Sequence, residues 1–404
     1  MQQGGTPWHT SRPTFLYTRE YRDDAVNMGK AESFPYYPAT AFGATAFEEI
    51  KTAYRQGYTY IRTNNPDRDV LAGLMTRLEA PELEAASTVL SSGMAAITAT
   101  ATALLQSGDH ILSNRCLYGE TIELFDFLFG KFGVETTYVD MSDLDAVRAA
   151  VKPNTKMIYT EICANPTIDL VDLPELVTIA KDAGALLVVD NTFCSPLSIR
   201  PLEWGADIVI NSLTKFLSGH SDILLGCVTA RPELVEKIYE FSLFMGSPAD
   251  PFPAFQMIRA LESAPMRIER QMSNAAKLAA YFETDPRIIK VNHPSVESFR
   301  QRALAKKLWK DDEKITGMMS VEFCTEDDAK IDAFMKRLKY VHYAPTLGGM
   351  RTTMSHPVTS SHNTTPDDVR RAMGITPALM RISIGIENID DLIEDFRQAF
   401  AELE

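Results

Sequence analysis

Short apolar runs alternate with helical patterns between about residues 85 and 230. Helical patterns such as GMAAITATATALL and DLPELVTIAKDAG separate the runs. Strands that are apolar throughout and spaced by helices are typical of a mostly parallel sheet covered on both faces. The pattern therefore predicts an α/β domain with strands at STVLSS (87–92), DHILS (109–113), VETTYVD (134–140), KMIYTEI (156–162), ALLVVD (185–190) and ADIVIN (206–211).

The flanking residues have different patterns, which predict an arm over 1–60, a large α/β domain over 61–250 and a C-terminal domain over 251–404. The arm is predicted to be irregular and is rich in aromatics, as in FPYYPATAF. The last part mixes long helical stretches with the strand-like runs GMMSVEFC and RISIGIE, which indicates a smaller α+β domain. Within it, the polar stretch 355–368 predicts a loop.

Two local features refine this picture. Ser142, with Asp145 three residues on, predicts a capping box at the start of a helix. The first 24 residues are polar and contain no apolar signal segment, and no apolar run is long enough to span a bilayer, so we expect a cytoplasmic protein.

Composition and net charge restrict the kinds of ligand and partner that the protein is expected to bind. A net charge of −14 argues against nucleic acid or an anionic membrane as the main partner, because either would repel the average surface. The five cysteines form no C-x-x-C pair and the seven histidines form no H-E-x-x-H motif, so neither a disulfide framework nor a metal site is predicted.

Polar groups follow several of the predicted strands. The carboxyl ends of parallel strands meet at one edge of the sheet, where ligands bind. Taken singly, each group has an ordinary alternative: a tight turn opening a helix, or a solvated strand end. The groups are Gly93 and Met94 at a strand-to-helix turn, Asn165, Asp190, and the set Ser212, Thr214 and Lys215.

Together these are the parts that pyridoxal phosphate requires. A lysine forms a Schiff base with the aldehyde and moves protons, and an aspartate keeps the ring nitrogen protonated. Hydroxyls and the free N–H groups at a helix start suit the phosphate. Tyr118, in LYGET after the DHILS strand, is expected to stack on the ring.

The sequence resembles the Cys/Met-metabolism family of pyridoxal-phosphate enzymes, which includes cystathionine γ-synthase, the cystathionine lyases, methionine γ-lyase and O-acetylhomoserine sulfhydrylase. Asp190 precedes Lys215 by 25 residues, in the most specific pair of matching motifs. The matching stretches are YIRTNNP, SSGMAAI, LYG, ANPT, VVDNTF, NSLTKFLSGHSD, LGG, HPVTSSH and RISIGIE.

The resemblance implies the aspartate-aminotransferase-like fold (fold type I) and a homotetramer built as a dimer of dimers. It implies that Tyr60 and Arg62 reach the cofactor of the partner subunit, together with the arm. Asn165 would lie near the ring hydroxyl, and Arg381 would bind the substrate α-carboxylate, with Thr346 beside the substrate. Without the resemblance, Arg381 would be taken for a surface arginine at a strand edge.

The implied reaction removes the α-proton to Lys215 and then expels the group on Cγ, with a proton from Tyr118. Relatives acting on cystathionine or succinylhomoserine carry an arginine five residues after the stacking tyrosine, where this chain has Glu123. Glu120 also replaces a small residue. Carboxylates there would repel a distal carboxylate, so we expect a γ-elimination lyase for a canavanine-like or methionine-like amino acid.

Several alternatives stay open at this stage. Glu120 and Glu123 fall in the first turn of a predicted helix, where acids favour the helix dipole and face solvent. Arg351 would oppose a cationic substrate if it faced the pocket, and Pro345 stands where several γ-lyases carry glutamate. A γ-replacement enzyme, a cystathionine γ-lyase and a non-catalytic binding protein of the same fold are the competing functions.

Overall fold

The computed structural model describes residues 33–56, 58–363 and 365–404. Its larger sheet has seven strands in the order β1-β7-β6-β5-β4-β2-β3. All run parallel except β7, which is antiparallel to both of its neighbours. The strands are β1 (Ala86–Leu90), β2 (His110–Asn114), β3 (Glu135–Val139), β4 (Thr155–Glu161), β5 (Leu186–Asp190), β6 (Ile208–Ser212) and β7 (Gly226–Ala230).

This sheet confirms the predicted α/β class, and the six predicted strands are present with ends shifted by one or two residues. β7 was not predicted. Its sequence, GCVTA, is short and rich in small residues, and no helical pattern separates it from β6. Without that spacing, the alternation of strands and helices that revealed the others is missing.

Helices cover both faces of the sheet. Alternate strand residues point to opposite sides, so Leu112 and Leu187 enter one buried cluster while Ile111 and Val188 enter the other. The helices before and within this region are α1 (Phe47–Gln56), α2 (Pro66–Glu79), α3 (Gly93–Leu104), α4 (Gly119–Glu123), which continues as a π-helical segment Leu124–Phe129, α5 (Leu144–Ala150), α6 (Leu173–Ala183) and α7 (Pro232–Met245), with a 3-10 turn at Pro201–Trp204.

The C-terminal part contains a second sheet of five strands in the order β10-β11-β12-β9-β8. Phenylalanine side chains pack behind it, with Phe282 and Phe396 ring centroids 5.0 Å apart. The elements are α8 (Pro251–Phe282), β8 (Ile288–Asn292), α9 (Arg302–Leu308), β9 (Met318–Phe323), α10 (Asp328–Arg337), β10 (His342–Tyr343), β11 (Thr353–Ser355), α11 (Asp367–Ala372), β12 (Leu379–Ser383) and α12 (Ile389–Ala399), with 3-10 turns at Pro357–Thr359 and Phe400–Leu403.

Three local predictions were wrong. The arm is not irregular throughout, because α1 lies within it; residues 1–32 of the arm lie outside the described part. Asp143, not Ser142, caps α5 by accepting hydrogen bonds from the N–H groups of Asp145 and Ala146. Ser142 instead donates to Asp140, which competes for its hydroxyl.

The predicted loop 355–368 also contains regular structure. Ser355 ends β11, a 3-10 turn follows at Pro357–Thr359, and α11 begins at Asp367. The polar sequence concealed the first turn of α11, where Asp367 and Asp368 are favoured by the helix dipole.

The two sheets meet where Leu347 and Gly348 approach the chain after β6. A Cβ at Gly348 would lie 2.6 Å from the carbonyl carbon of Lys215, and φ at Gly348 is +79°. Only glycine fits such a contact at such a backbone angle. No helix in the described part of the chain is long and apolar enough to cross a membrane.

Candidate active site

A cavity of about 900 Å³ opens at the carboxyl edge of the large sheet, beneath the C-terminal sheet. We call its deep part the inner end, formed by Glu161, Asn165, Asp190, Lys215 and Arg381, and its outer part the rim, formed by Glu120, Glu123, Thr359, Ser360 and Ser361. The predicted site residues that line the cavity are Gly93, Met94, Tyr118, Glu120, Glu123, Asn165, Asp190, Ser212, Thr214, Lys215 and Arg381.

Four other residues singled out from the sequence are not part of this lining. Tyr60 is 46% exposed, and Arg62 donates to the carbonyl of Leu243 at 2.9 Å. The backbone carbonyl of Thr346 accepts a hydrogen bond from Arg381. Arg351 is exposed and, among the described residues, is not one of those that line the cavity.

The start of α3 provides an anion-binding cradle. Ser92 caps the helix by accepting from the N–H of Ala95 at 3.0 Å, which leaves the N–H groups of Gly93 and Met94 at the helix start. A Cβ at Gly93 would lie 3.0 Å from that of Ser212, so glycine permits this close approach. The helix dipole and the hydroxyl of Ser212 suit a phosphate here.

The hydroxyl of Thr214 must change its hydrogen-bond partner before it can bind an anion at the start of α3. This hydroxyl donates to the carbonyl of Leu225 at 3.2 Å and accepts from the N–H of Leu225 at 3.0 Å. The hydroxyl proton therefore has to rotate away from Leu225 before Thr214 can donate to an anion.

Asp190 ends β5 at the inner end. Its carboxylate accepts from the N–H of Thr192 at 2.9 Å and from the hydroxyl of Tyr159 at 3.4 Å. Burial raises the pKa of Asp190, while the bonds from Thr192 and Tyr159 and the charge of Lys215 act in the opposite direction. A protonated ring nitrogen beside Asp190 would favour the charged carboxylate further.

Lys215 follows β6 and faces the same space. Burial lowers the pKa of its amine, and the positive charge of Arg381 lowers it further, whereas Glu120 and Asp190 raise it. A lowered pKa increases the fraction of neutral amine, which is the nucleophilic form.

The turn that carries Lys215 is held by Arg267 of α8, which is only 6% exposed. Its guanidinium donates to the carbonyls of Phe216 at 3.0 Å and Leu217 at 2.9 Å. It also donates to the carbonyl of Ala260 and the hydroxyl of Ser263. These acceptors are all neutral, and burial lowers the pKa of Arg267 to about 10.

Tyr118 stands at the start of α4, between the inner end and the rim. Burial raises the pKa of its phenol to about 12, and a hydrogen bond with Glu120 and the charges of Glu120 and Glu123 contribute. The phenol is therefore protonated at neutral pH and can act as an acid.

Arg381, in β12, is buried rather than at the surface, being 5% exposed. It donates to the side-chain oxygen of Asn165 at 3.2 Å and to the carbonyl of Thr346 at 3.3 Å. Burial lowers its pKa to about 10, so the guanidinium remains a cation that can bind a carboxylate.

Glu161 and Arg267 were not predicted from the sequence, and neither were Tyr343, Thr359, Ser360 and Ser361, which line the cavity. Glu161 ends β4 directly beside Asp190 in the sheet register. An acid closing a buried strand is the same signal that drew attention to Asp190, so Glu161 could have been found. Arg267 could not, because nothing in a helical pattern indicates contact with a turn 50 residues away.

The arrangement fits pyridoxal phosphate in every part that the described residues can test. The free N–H groups at the start of α3 and the nearby hydroxyl of Ser212 suit the phosphate, and a Cβ at Gly93 would be in tight contact with Ser212, at 3.0 Å. Asp190, a buried carboxylate, suits a pyridinium, and the amine of Lys215 suits the aldehyde.

Comparisons with known proteins agree with this assignment. Residues 14–401 match the model for the Cys/Met metabolism PLP-dependent enzyme family. The chain is 37% identical over 374 residues to cystathionine γ-lyase of Bacillus subtilis, covering 92% of this chain and 95% of the relative. It is 37% identical over 383 residues to L-methionine γ-lyase of Fusobacterium nucleatum subsp. nucleatum, covering 93% and 95%.

A solved structure is also similar. Cystathionine γ-lyase of Lactobacillus plantarum, complexed with L-serine, superimposes with a TM-score of 0.88 at 31% identity, covering 96% of this chain and 98% of that one.

Proposed function

The chain belongs to the family of Cys/Met metabolism PLP-dependent enzymes, and from this we propose that it is a γ-elimination lyase for an L-amino acid without a distal carboxylate. Its cofactor is pyridoxal phosphate, as in the family. The observation that carries the proposal is the pair of carboxylates, Glu120 and Glu123, at the rim of the cavity.

The inner end supplies the shared chemistry. When bound, the cofactor withdraws electrons from the substrate α-carbon through its protonated ring. Arg381 binds the α-carboxylate and so orients the substrate. Lys215 takes the α-proton with its amine, and a proton is then removed from Cβ, which supplies the electron pair that breaks the bond from Cγ to the leaving group. Tyr118, kept protonated by its raised pKa, gives a proton to that group.

The rim determines which leaving group is favoured. Among the described residues that line the cavity, the cations are Lys215 and Arg381, both at the inner end. A distal carboxylate would therefore meet Glu120 and Glu123 without a compensating cation from this chain. A distal cation would be attracted by the same groups, and Arg351, outside the lining, would not oppose it.

Hydroxyl groups favour the canavanine-like substrate over the methionine-like one. Thr359, Ser360 and Ser361 line the rim together with the acids. The hydroxyls of Tyr343 and Thr359 lie 3.0 Å apart. A guanidino-oxy group on Cγ can donate hydrogen bonds to the carboxylates and to these hydroxyl oxygens, whereas a methylthio group has no donor to offer to either set.

A product assay across γ-substituted amino acids tests the proposal. We expect canavanine to release hydroxyguanidine together with a 2-oxo acid or homoserine, methionine to react more slowly, and cystathionine to react slowest. Cystathionine turning over fastest would refute the role given to the rim.

The main alternative is γ-replacement, as in an O-acetylhomoserine sulfhydrylase or a cystathionine γ-synthase. The relatives include both kinds of enzyme by name. Supplying O-acetylhomoserine with sulfide, and O-succinylhomoserine with cysteine, decides between them: new thioether or thiol products at rates above those of keto-acid release would establish replacement.

We further propose a cytoplasmic homotetramer, a dimer of dimers, in which Tyr60 and Arg62 complete the cofactor site of a partner subunit. Both lie outside this chain's own cavity lining. Arg62→Ala and Lys215→Ala are each expected to be inactive. Mixing the two variants should restore about a quarter of wild-type activity, because about half of the dimers are then hybrids and each hybrid has one intact site of its two. No recovery after subunit exchange would count against a shared site.

A further inference from the structure

Glu161 is a buried carboxylate that the mechanism above does not use. It closes β4, pairs with Asp190 in the register of the sheet, and is only 7% exposed at the inner end of the cavity. Placing two acids side by side in a buried site is unfavourable. Burial, followed by the charge of Asp190, raises the pKa of Glu161 to about 8. A carboxyl group buried beside a second acid therefore has to make other interactions that offset this cost.

Its two oxygens hold two separate loops. One accepts from the backbone N–H of Tyr118 at 2.8 Å, in the loop after β2. The other accepts from the backbone N–H of Asn165 at 3.1 Å, in the loop after β4. Glutamine has a single side-chain oxygen, so only an acid of this length can accept on both sides.

The second loop leads to the substrate. The side-chain oxygen of Asn165 accepts from the guanidinium of Arg381 at 3.2 Å. The guanidinium also donates to the carbonyl of Thr346, at 3.3 Å. Asn165, which Glu161 holds, is therefore one of the two groups that orient Arg381.

We propose that Glu161 is a positioning residue, which holds the ring-stacking Tyr118 and, through Asn165, the carboxylate-binding Arg381 in fixed places relative to Asp190. Glu161 bonds the backbone N–H groups of Tyr118 and Asn165 and makes no hydrogen bond with the phenol or the side-chain amide of these residues. Its loss is expected to weaken recognition of the substrate carboxylate more than recognition of the substrate amine.

The test compares two ligands that differ only in the carboxylate. L-Alanine and L-alaninamide both present an amine to the cofactor-loaded enzyme, and neither carries a γ leaving group. Titrations followed by cofactor absorbance give a dissociation constant for each. In Glu161→Gln, which keeps one acceptor, we expect the preference for alanine to fall about tenfold, the value of roughly one hydrogen bond. Glu161→Ala should lose more.

A second measurement reports on Tyr118. The visible circular dichroism of the bound cofactor depends on how the aromatic ring lies against it, so we expect an altered band in both variants. Glu387→Gln is the matched control, because Glu387 accepts from the N–H of Thr352 at 2.6 Å and is not part of the cavity lining. Its ligand preference and dichroism should match the wild type.

The result that would overturn the proposal is an unchanged alanine-to-alaninamide preference in Glu161→Gln, whatever its melting temperature. In that case the two backbone contacts serve stability alone. Because neither ligand is a lyase substrate, this outcome is independent of whether canavanine proves to be the substrate. Should Glu161→Ala fail to fold, Glu161→Gln alone decides.

Discussion

The inner end and the rim of the cavity differ in how their charged groups are held. At the inner end, Asp190 accepts from Thr192 and Tyr159, and Arg381 donates to Asn165 and Thr346. At the rim, Glu120 is hydrogen-bonded to Tyr118, whereas Glu123 is exposed and its side chain makes no hydrogen bond or ion pair with any residue in the described part of the chain. Chemistry common to a family requires fixed groups, whereas the choice of leaving group can be made by charges that remain free to adjust.

The same contrast separates what a mutation should change. Substitutions at the inner end, or in what supports it, are expected to impair every substrate equally. Those at the rim should change the order of substrates and leave the protein's stability nearly intact. The four variants below test this division, beginning with the largest effect.

Replacing Lys215 should abolish the reaction for all substrates. Without the amine there is no nucleophile for the aldehyde and no base for the α-proton, and we expect a loss of about 10⁴-fold in Lys215→Ala. Initial rates, together with borohydride reduction followed by mass measurement, check both roles. Lys307→Ala, which removes an exposed lysine paired with Asp172, is the control. Activity within tenfold of wild type would remove Lys215 from the mechanism.

Replacing Arg267 should destabilise the protein and misplace the lysine turn. Arg267→Met leaves the carbonyls of Phe216 and Leu217 without the donor that Arg267 provides, at a cost of about 3 kcal/mol or more. Urea unfolding measures the free energy. Arg267→Lys should recover part of it, since lysine offers three donors. Arg270→Met, on the exposed side of the same helix, should change the free energy of unfolding little. Equal losses of stability in the two variants would contradict the role given to Arg267.

Reversing the charge of Glu123 should change specificity alone. In Glu123→Arg, we expect the ratio of kcat/KM for cystathionine to that for canavanine to rise at least about tenfold, because a distal carboxylate now meets a cation. Asp126→Arg applies the same charge change one turn further along, at a residue outside the cavity lining. An unchanged ratio would place the Glu123 side chain in solvent rather than toward the substrate.

The smallest effect concerns a buried acid behind the inner end. Glu79 accepts from the side-chain amides of Asn191 and Asn211, the neighbours of Asp190 and Ser212. Burial raises the pKa of Glu79 from its ordinary 4.5 to about 7. The folded state therefore binds this proton more tightly than the unfolded state, and the stability from the neutral acid, complete below about pH 4.5, is lost as pH rises through about 7.

In numbers, the wild type should lose about 1 kcal/mol between about pH 6 and about pH 8 through this group. Glu79→Gln, which is always neutral, should lack that loss. Denaturant unfolding at both pH values measures the difference between the two proteins. Identical pH slopes would mean that Glu79 does not carry its proton in the folded state.

The prediction of the fold from the sequence succeeded where the pattern is periodic. The inner parallel strands are rich in apolar residues because both faces are covered, whereas the edge strand β3 is only partly buried, and all six remain visible as short runs between helical patterns. β7 was not predicted because no helix separates it from β6, and α11 was not predicted because its first turn is polar. The boundaries proposed for the arm and the two domains stay predictions.

Residues of the site divide in the same way. Asp190 and Lys215 were found because strand ends in a parallel sheet converge at one edge. Asn165 was found by the same reasoning, whereas Arg381 needed the family resemblance, since 216 residues separate it in the chain from Asn165, which its side chain contacts. The roles proposed for these residues remain to be measured.

The sequence by itself determined the sheet, the edge at which its polar groups gather and the family to which the chain belongs, because strand periodicity and short motifs are local properties. The tertiary structure alone decided which acids lie at the rim and that Arg351 lies outside the cavity lining. It also decided that Arg267 contacts the turn that carries Lys215, and that Glu161 contacts the backbones of Tyr118 and Asn165. Those relations join residues that are distant in the chain, and only packing brings them within reach of a hydrogen bond.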